Sequence, residues 1–313
     1  MPDVDTLAAS QARLHLSRQM WSGFAAAAVV VVLWSGFNIV SRLGGRSALT
    51  PFDLAALRYG ISALLLLPVF LRRPRAIAWP RLLVLAGFGG LGYGLLVYAG
   101  FSLAPASHAG ILVNGGIPFA TALFAWPLLG FRPKRGVAIA FALTGLGIAL
   151  IGYQSLTGET GAAPRQWLGD LFFFGGALCW GVFGVLLRKW NLRPFDAMAG
   201  IATVSALVFL PVYFLALPKA LTLVPTEQLL LQAVYQGVIA AVLAGLLYAH
   251  ASQTIGPIKA ALMLALVPGI SAVAAVPILN ESLGALTVAG LLCVSGGAIL
   301  GAIASSSPGV RRG

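Results

Sequence analysis

The sequence predicts an all-α polytopic membrane protein: ten transmembrane helices, folded as two inverted five-helix repeats, with both termini cytoplasmic. Three observations carry this. Hydrophobic residues are 59% of the chain and charged residues 9%, whereas an ordinary soluble domain carries about 25% charged residues. The apolar residues fall into ten long runs, each near the ~20 residues a spanning helix needs. The stretch PFDLAALRYGISALLLLP at 51–68 returns as PFDAMAGIATVSALVFLP at 194–211, matching at Pro51/Pro194, Phe52/Phe195, Asp53/Asp196 and six later positions.

The spans read, in order, 21–41, 51–71, 82–103, 108–130, 136–153, 169–188, 195–217, 229–251, 258–279 and 284–304. The first carries Trp34 and Asn38, and the second opens on Pro51, a residue suited to the first turn of a helix. The third carries Tyr93, Tyr98 and the glycines Gly87, Gly90 and Gly94 on one face. The fourth holds Asn114 and Pro118; the fifth is the shortest. The sixth carries Trp180, and the seventh opens on the second PFD. The eighth holds Gln236, Tyr248 and His250, with Gln253 just beyond. The ninth carries Pro268-Gly269, and the tenth has glycines at 297 and 301. These continuous apolar runs exclude a barrel, whose strands are short and alternate.

Basic residues set the orientation. Arg13, Arg18, Arg72, Arg73, Arg75, Arg81, Arg132, Lys134, Arg135, Arg188, Lys189, Arg193, Lys259, Arg311 and Arg312 share one side. Arg42, Arg46, Arg165 and Lys219 take the other, and Arg58 lies within a span. The crowded side is cytoplasmic. The net charge of +12 thus reflects topology, with no nucleic-acid partner. Trp34, Phe37 and Arg42 recur 146 residues on as Trp180, Phe183 and Arg188. Tyr98, Pro118, Pro127, Gly147 and Leu150 recur at an offset of 150. Five crossings per copy is an odd number, so the copies are inverted. The expected organisation is a cytosolic stub at 1–20, one repeat at 21–153, an extracytoplasmic linker at 154–168, the second repeat at 169–305 and a basic tail at 306–313. Inverted repeats are the recurring basis of alternating access, with a site near the midplane between them.

Two five-helix copies, each with a first-helix Trp, a proline-led second helix and Tyr-x(19)-Pro-x(8)-Pro over the third and fourth, resemble the drug/metabolite transporter superfamily. The ten-helix EamA type is the branch they resemble most. VPILNESLGALTVAGLLCVSGGAIL at 276–300 fits that pattern; in the first half Phe131 stands where Glu281 would fall, so Glu281 receives no transport role. The resemblance implies an exporter of small metabolites, with helices 1, 3, 4, 6, 8 and 9 around a central cavity. Some members, the YddG-like ones, export aromatic and other amino acids.

Candidate substrate-facing residues are Trp34, Asn38, Tyr93, Tyr98, Asn114, Pro118, Trp180, Gln236, Tyr248, His250 and Pro268. Tryptophan favours the membrane interfaces, so two at mid-depth form either an aromatic wall or an interhelical packing pair. Tyrosine hydroxyls and amides are costly against lipid and serve a ligand or join helices. Paired prolines permit symmetric kinks. Arg58 is assigned a structural role, reaching Asp53 or snorkelling outward.

No acid is expected at mid-membrane depth, and no basic pair stands on the cavity helices. A carboxylate-driven drug antiporter and a carrier of phosphorylated sugars, which needs Arg or Lys against phosphate, are both disfavoured. Downhill facilitation and proton exchange through His108 or His250 stay open. The expected function is export of neutral or zwitterionic metabolites, amino acids including aromatic ones, across the bacterial inner membrane. Alternatives are export of nucleosides or cationic drugs, or a passive channel. Scattered His and acids argue against an enzyme. No cofactor or metal is implied. The partners are the small-molecule substrate and the lipid bilayer, with the chain a monomer or weak homodimer.

Overall fold

The computed structural model describes residues 4–73, 76–130, 135–157 and 164–306. The described residues form helices and no strand. Among the described residues, ten helices are long and apolar enough to cross a membrane. They are α1 (Val4–Gly45, apolar from Gln19), α2 (Pro51–Arg72), α3 (Trp79–Leu103), α4 (Ala106–Leu129), α5 (Arg135–Thr157), α6 (Gln166–Lys189), α7 (Pro194–Ala216), α8 (Thr226–Thr254), α9 and α10 (Ala285–Ser306). Helix α9 comes in two pieces, Pro257–Leu264 and Val267–Leu279, parted by a turn at Ala265 and Leu266.

Several expectations are corrected. The 1–20 stub is helical from Val4 and continuous with α1. The 154–168 linker is shorter: α5 runs to Thr157 and α6 begins at Gln166, with 158–163 outside the described residues. Phe131 and the tail at 307–313 also lie outside them. The two prolines do not make matching kinks. Pro268 opens the second piece of α9 after the break. Pro118 sits in an unbroken helix, just past a π-helical segment at Gly110–Gly115.

The principal pairings between the first and last five helices recur with the halves exchanged. Helix α1 packs on α8 and α9 as α6 packs on α3 and α4; α2 packs on α8 as α7 packs on α3; α2 meets α7, and α5 meets α10. Local features repeat too. Helices α3 and α8 each contain a π-segment, at Ala86–Gly92 and Tyr235–Leu243, a helix irregularity common at functional sites. Helices α4 and α9 end on residues in the left-handed conformation, Gly130 (φ 67°) and Asn280 (φ 52°). Their N–H groups bond the carbonyls of Ala125 and Ala275, the C-cap solution for orphan carbonyls.

The PFD motif acts as a clasp. Asp53 is fully buried and closes a capping box with Thr50 at the start of α2. It also accepts from the Tyr213 hydroxyl at 2.5 Å and the Ala220 N–H at 3.2 Å, at the far end of α7. Its counterpart Asp196, at the start of α7, faces Arg73 at the end of α2, 3.8 Å away. Each motif therefore fastens to the end of the other.

Small residues bring α6 against α4. A Cβ at Gly181 would lie 2.7 Å from the Ala120 Cβ and 2.8 Å from the Thr121 nitrogen. Gly181→Ala is therefore expected to lower stability by about 1–3 kcal/mol through overpacking. At Gly184 nothing lies within 4 Å, and Gly184→Ala is expected to gain up to ~1 kcal/mol from helix propensity. Thermal midpoints of the two purified variants check the contrast.

Candidate functional site

A helix bundle in lipid cannot leave buried polar groups unpaired without cost, so its internal hydrogen bonds map where polarity was placed on purpose. One network starts at Tyr98 on α3, 1% exposed. Its hydroxyl donates to Gln236 Oε1 on α8 at 2.9 Å. Gln236 Nε2 donates to Ser41 Oγ on α1 and to Gln232 Oε1, both at 3.0 Å. Gln232 Nε2 donates to the Val40 carbonyl at 2.7 Å. The two glutamines share a face because four residues bring a helix nearly full turn. Tyr98 and Gln236 thus belong to one site, at the π-segment of α8.

Arg58 enters the same site from α2. Tyr98, Tyr93 and Tyr59 are its electrostatic neighbours. Its Cζ stands 5.7 Å from the Phe37 ring centroid and 5.9 Å from that of Tyr93, within cation–π range. The expected reach to Asp53 does not occur; the Asp53 oxygens are taken by Thr50, Tyr213 and Ala220. No carboxylate lies within ion-pairing distance of Arg58 among the described residues. Arg58, expected to reach Asp53 or the membrane surface, instead lies beside Phe37 and Tyr93.

Tyr93 links this cluster to Trp180. Their ring centroids are 4.7 Å apart, and Trp180 also meets Phe183 at 5.1 Å. Trp34 makes the corresponding contact between α1 and α8, 5.6 Å from Tyr248. The two tryptophans lie at separate junctions, one from each repeat, rather than on one wall. A second polar group joins α1, α4 and α9. Asn38 Nδ2 donates to Asn114 Oδ1 and to Ser271 Oγ, each at 2.9 Å. Ser35 Oγ donates to the Val267 carbonyl, beside Pro268, at 3.3 Å.

Two expected site residues stand apart. Pro118 is exposed on α4. His250 is exposed, with Ser22 Oγ 3.3 Å from its Nε2. Two residues past Tyr248, it is turned about 200° round the helix, away from the aromatic contact.

Among the described residues, Asp53 and Asp170 are buried and the Glu281 side chain is 8% exposed, all near helix ends. Asp170 Oδ1 lies 2.8 Å from His108 Nδ1, and Asp170 Oδ2 accepts from Ser155 Oγ at 2.5 Å. This buried pair joins α4 to α6. Glu281 closes one end of the bundle. It accepts from Arg42 Nε at 3.1 Å and from the Ala106 N–H at 2.9 Å. Arg42 Nη1 donates to the Phe101 carbonyl at 2.7 Å, and Arg46 Nη1 to that of Leu279 at 2.6 Å. The ends of α1, α3 and α9 and the start of α4 are thereby tied together. At the opposite end, Arg188, the counterpart of Arg42, makes no ion pair among the described residues. There a shallow concavity of about 540 Å³ is lined by Arg73, Ile77, Arg193 and Asp196 among others; it lies away from the polar networks.

The sequence pattern of the EamA-like transporter family matches residues 21–153 and 167–302. The chain is 28% identical over 190 residues to the aromatic amino acid exporter YddG of Ancylobacter novellus; the alignment covers 56% of this chain and 61% of that protein. A solved crystal structure, described only as that of a protein, is 23% identical and superposes with a TM-score of 0.57. The match covers 91% of this chain and 96% of that one, and it speaks for the fold alone.

Proposed function

Because this chain belongs to the EamA-like transporter family, a branch of the drug/metabolite transporters, we propose that it exports amino acids, aromatic ones included, across the inner membrane by alternating access. The observation that carries the reading is the Trp180–Tyr93–Tyr98–Gln236 constellation: flat rings beside committed hydrogen-bonding groups, inside a bundle of spanning helices. Ligand sites have this character, mostly apolar with a few placed polar groups. The relative named for aromatic amino acid export adds a substrate class that such rings suit.

Inversion of the two halves is supported by the exchanged helix pairings and by the mutual clasp of Asp53 and Asp196. The basic residues favour cytoplasmic termini. The Arg42–Glu281 pair ties one end of the bundle, while at the other end Phe131 stands in place of that acid, so the two ends are fastened unequally. With α1, α4 and α9 meeting at Asn38, Asn114 and Ser271, a rocking of the halves would act directly on the interior.

The test is uptake of labelled phenylalanine and other amino acids by proteoliposomes holding the full chain. Trp180→Ala and Tyr98→Ala are each expected to lower uptake by roughly 10-fold or more, the value of about 1.4 kcal/mol of lost contact, with the folded yield unchanged. Uptake of another solute but of no amino acid would overturn the substrate. Unchanged rates in both variants would make the rings packing alone.

A further inference from the structure

The mid-span cation has no role in the reading so far. Burying an unpaired charge is expensive, and an ionisable residue inside a membrane span is by default a functional candidate. Arg58 is only partly buried and stands among aromatic side chains of α1 and α3. Its surroundings compensate it only in part. Three tyrosine oxygens and two ring faces are weak substitutes for a carboxylate, and a guanidinium carries five N–H donors.

The geometry is ready for an anion. The Tyr98 hydroxyl proton is committed to Gln236, and that of Tyr59 to the Gly90 carbonyl at 2.9 Å. Both oxygens therefore keep lone pairs free for a nearby cation. The Tyr93 ring stands between the guanidinium, 5.9 Å from its centroid, and Trp180, 4.7 Å away. An aromatic amino acid separates its carboxylate from its ring by a similarly short link. The repeat counterpart of Arg58 is Ile201, which is buried and apolar. The cation therefore stands on one side of the interior and would orient a zwitterion one way.

We propose that Arg58 is the carboxylate anchor of this interior, and that the chain selects solutes bearing a carboxylate next to an aromatic or apolar group. The proposal rests on the transporter reading and adds its recognition element. Arg binds carboxylates through two parallel N–H···O bonds, so removing either partner removes the selection.

The experiment measures binding of phenylalanine, phenylalaninamide and phenylacetate to the purified full-length chain, wild type and Arg58→Gln. Wild type is expected to prefer the acid to the amide by ~10-fold or more, the ordinary value of a charge-assisted hydrogen bond. Arg58→Gln is expected to weaken phenylalanine by ~10- to 100-fold and to leave the amide within ~2-fold. Should Arg58→Gln not fold, Arg58→Lys keeps the charge without the fork and is expected to retain a reduced acid preference. The proposal falls if a folded Arg58→Gln keeps the wild-type acid-to-amide ratio. It falls equally if wild type takes the amide as well as the acid, or binds neither carboxylate. Arg58-dependent binding of phenylacetate without phenylalanine would uphold the anchor and overturn the amino-acid reading. Phenylalanine transport with a ratio indifferent to Arg58 would do the reverse.

Discussion

Glu281→Ala is expected to release the end of the bundle where α1, α3, α4 and α9 converge. Its carboxylate is 8% exposed and Arg42 15%, so the pair is largely desolvated. Removing one member leaves the other buried and uncompensated, at a cost of about 3–5 kcal/mol. The Ala106 N–H loses its acceptor as well. These losses fall on the closed arrangement alone. A state in which that end is open has already given up the contacts, so the balance should move toward opening by ~10²- to 10⁴-fold. Ser107 reports it: at 1% exposure, Ser107→Cys is shielded in the first turn of α4. In a background with Cys179 and Cys293 replaced by Ser, the Glu281→Ala change should raise labelling of that cysteine by an impermeant maleimide. A fall in thermal midpoint with no change in labelling would make the ion pair a structural tie and nothing more.

Asp53→Ala should be among the most destabilising single changes in the chain, and Asp196→Ala among the mildest, though both occupy the same place in one repeated motif. Asp53 is fully buried and accepts from the Thr50 N–H and hydroxyl, the Tyr213 hydroxyl and the Ala220 N–H. Its loss removes the cap of α2 and strands buried donors on α7 and beyond, about 3 kcal/mol together. Asp196 has Arg73 at 3.8 Å, on a side chain 59% exposed, a surface pair worth under ~1 kcal/mol. Thermal midpoints of the two purified variants decide it, and equal shifts would contradict the clasp as drawn.

The ten helices were legible because lipid allows few solutions: a run of about twenty apolar residues must close its own backbone bonds. Where the chain departs from that rule, hydropathy is silent. The π-segments of α3 and α8 and the break at Ala265–Leu266 leave no hydropathy signal, since the residues involved are as apolar as their neighbours. Tyr93, Tyr98, Trp180 and Gln236 were found as candidates because aromatic and amide side chains at mid-depth need a partner. The expected reach of Arg58 to Asp53 fails for a geometric reason. Residues five apart on an α-helix lie about 140° apart, so Asp53 could not be its natural partner. That conclusion was available from spacing; the identity of the true neighbours was not. His108 and Asp170 lie 62 residues apart and Arg42 and Glu281 239 apart, so only the folded bundle joins them. The repeat did point the right way for Asp53: an identical residue at the same offset in both halves meant a shared position, though with unequal duties.

The claim that a solute crosses by alternating exposure of one interior site is tested most directly by counterflow. Proteoliposomes holding the full chain are loaded with unlabelled phenylalanine and diluted into a trace of labelled phenylalanine. An alternating carrier drives the label inward above its equilibrium level before it decays. Label that only rises to equilibrium, at a rate indifferent to the internal load, would mean a passive pore and contradict the mechanism.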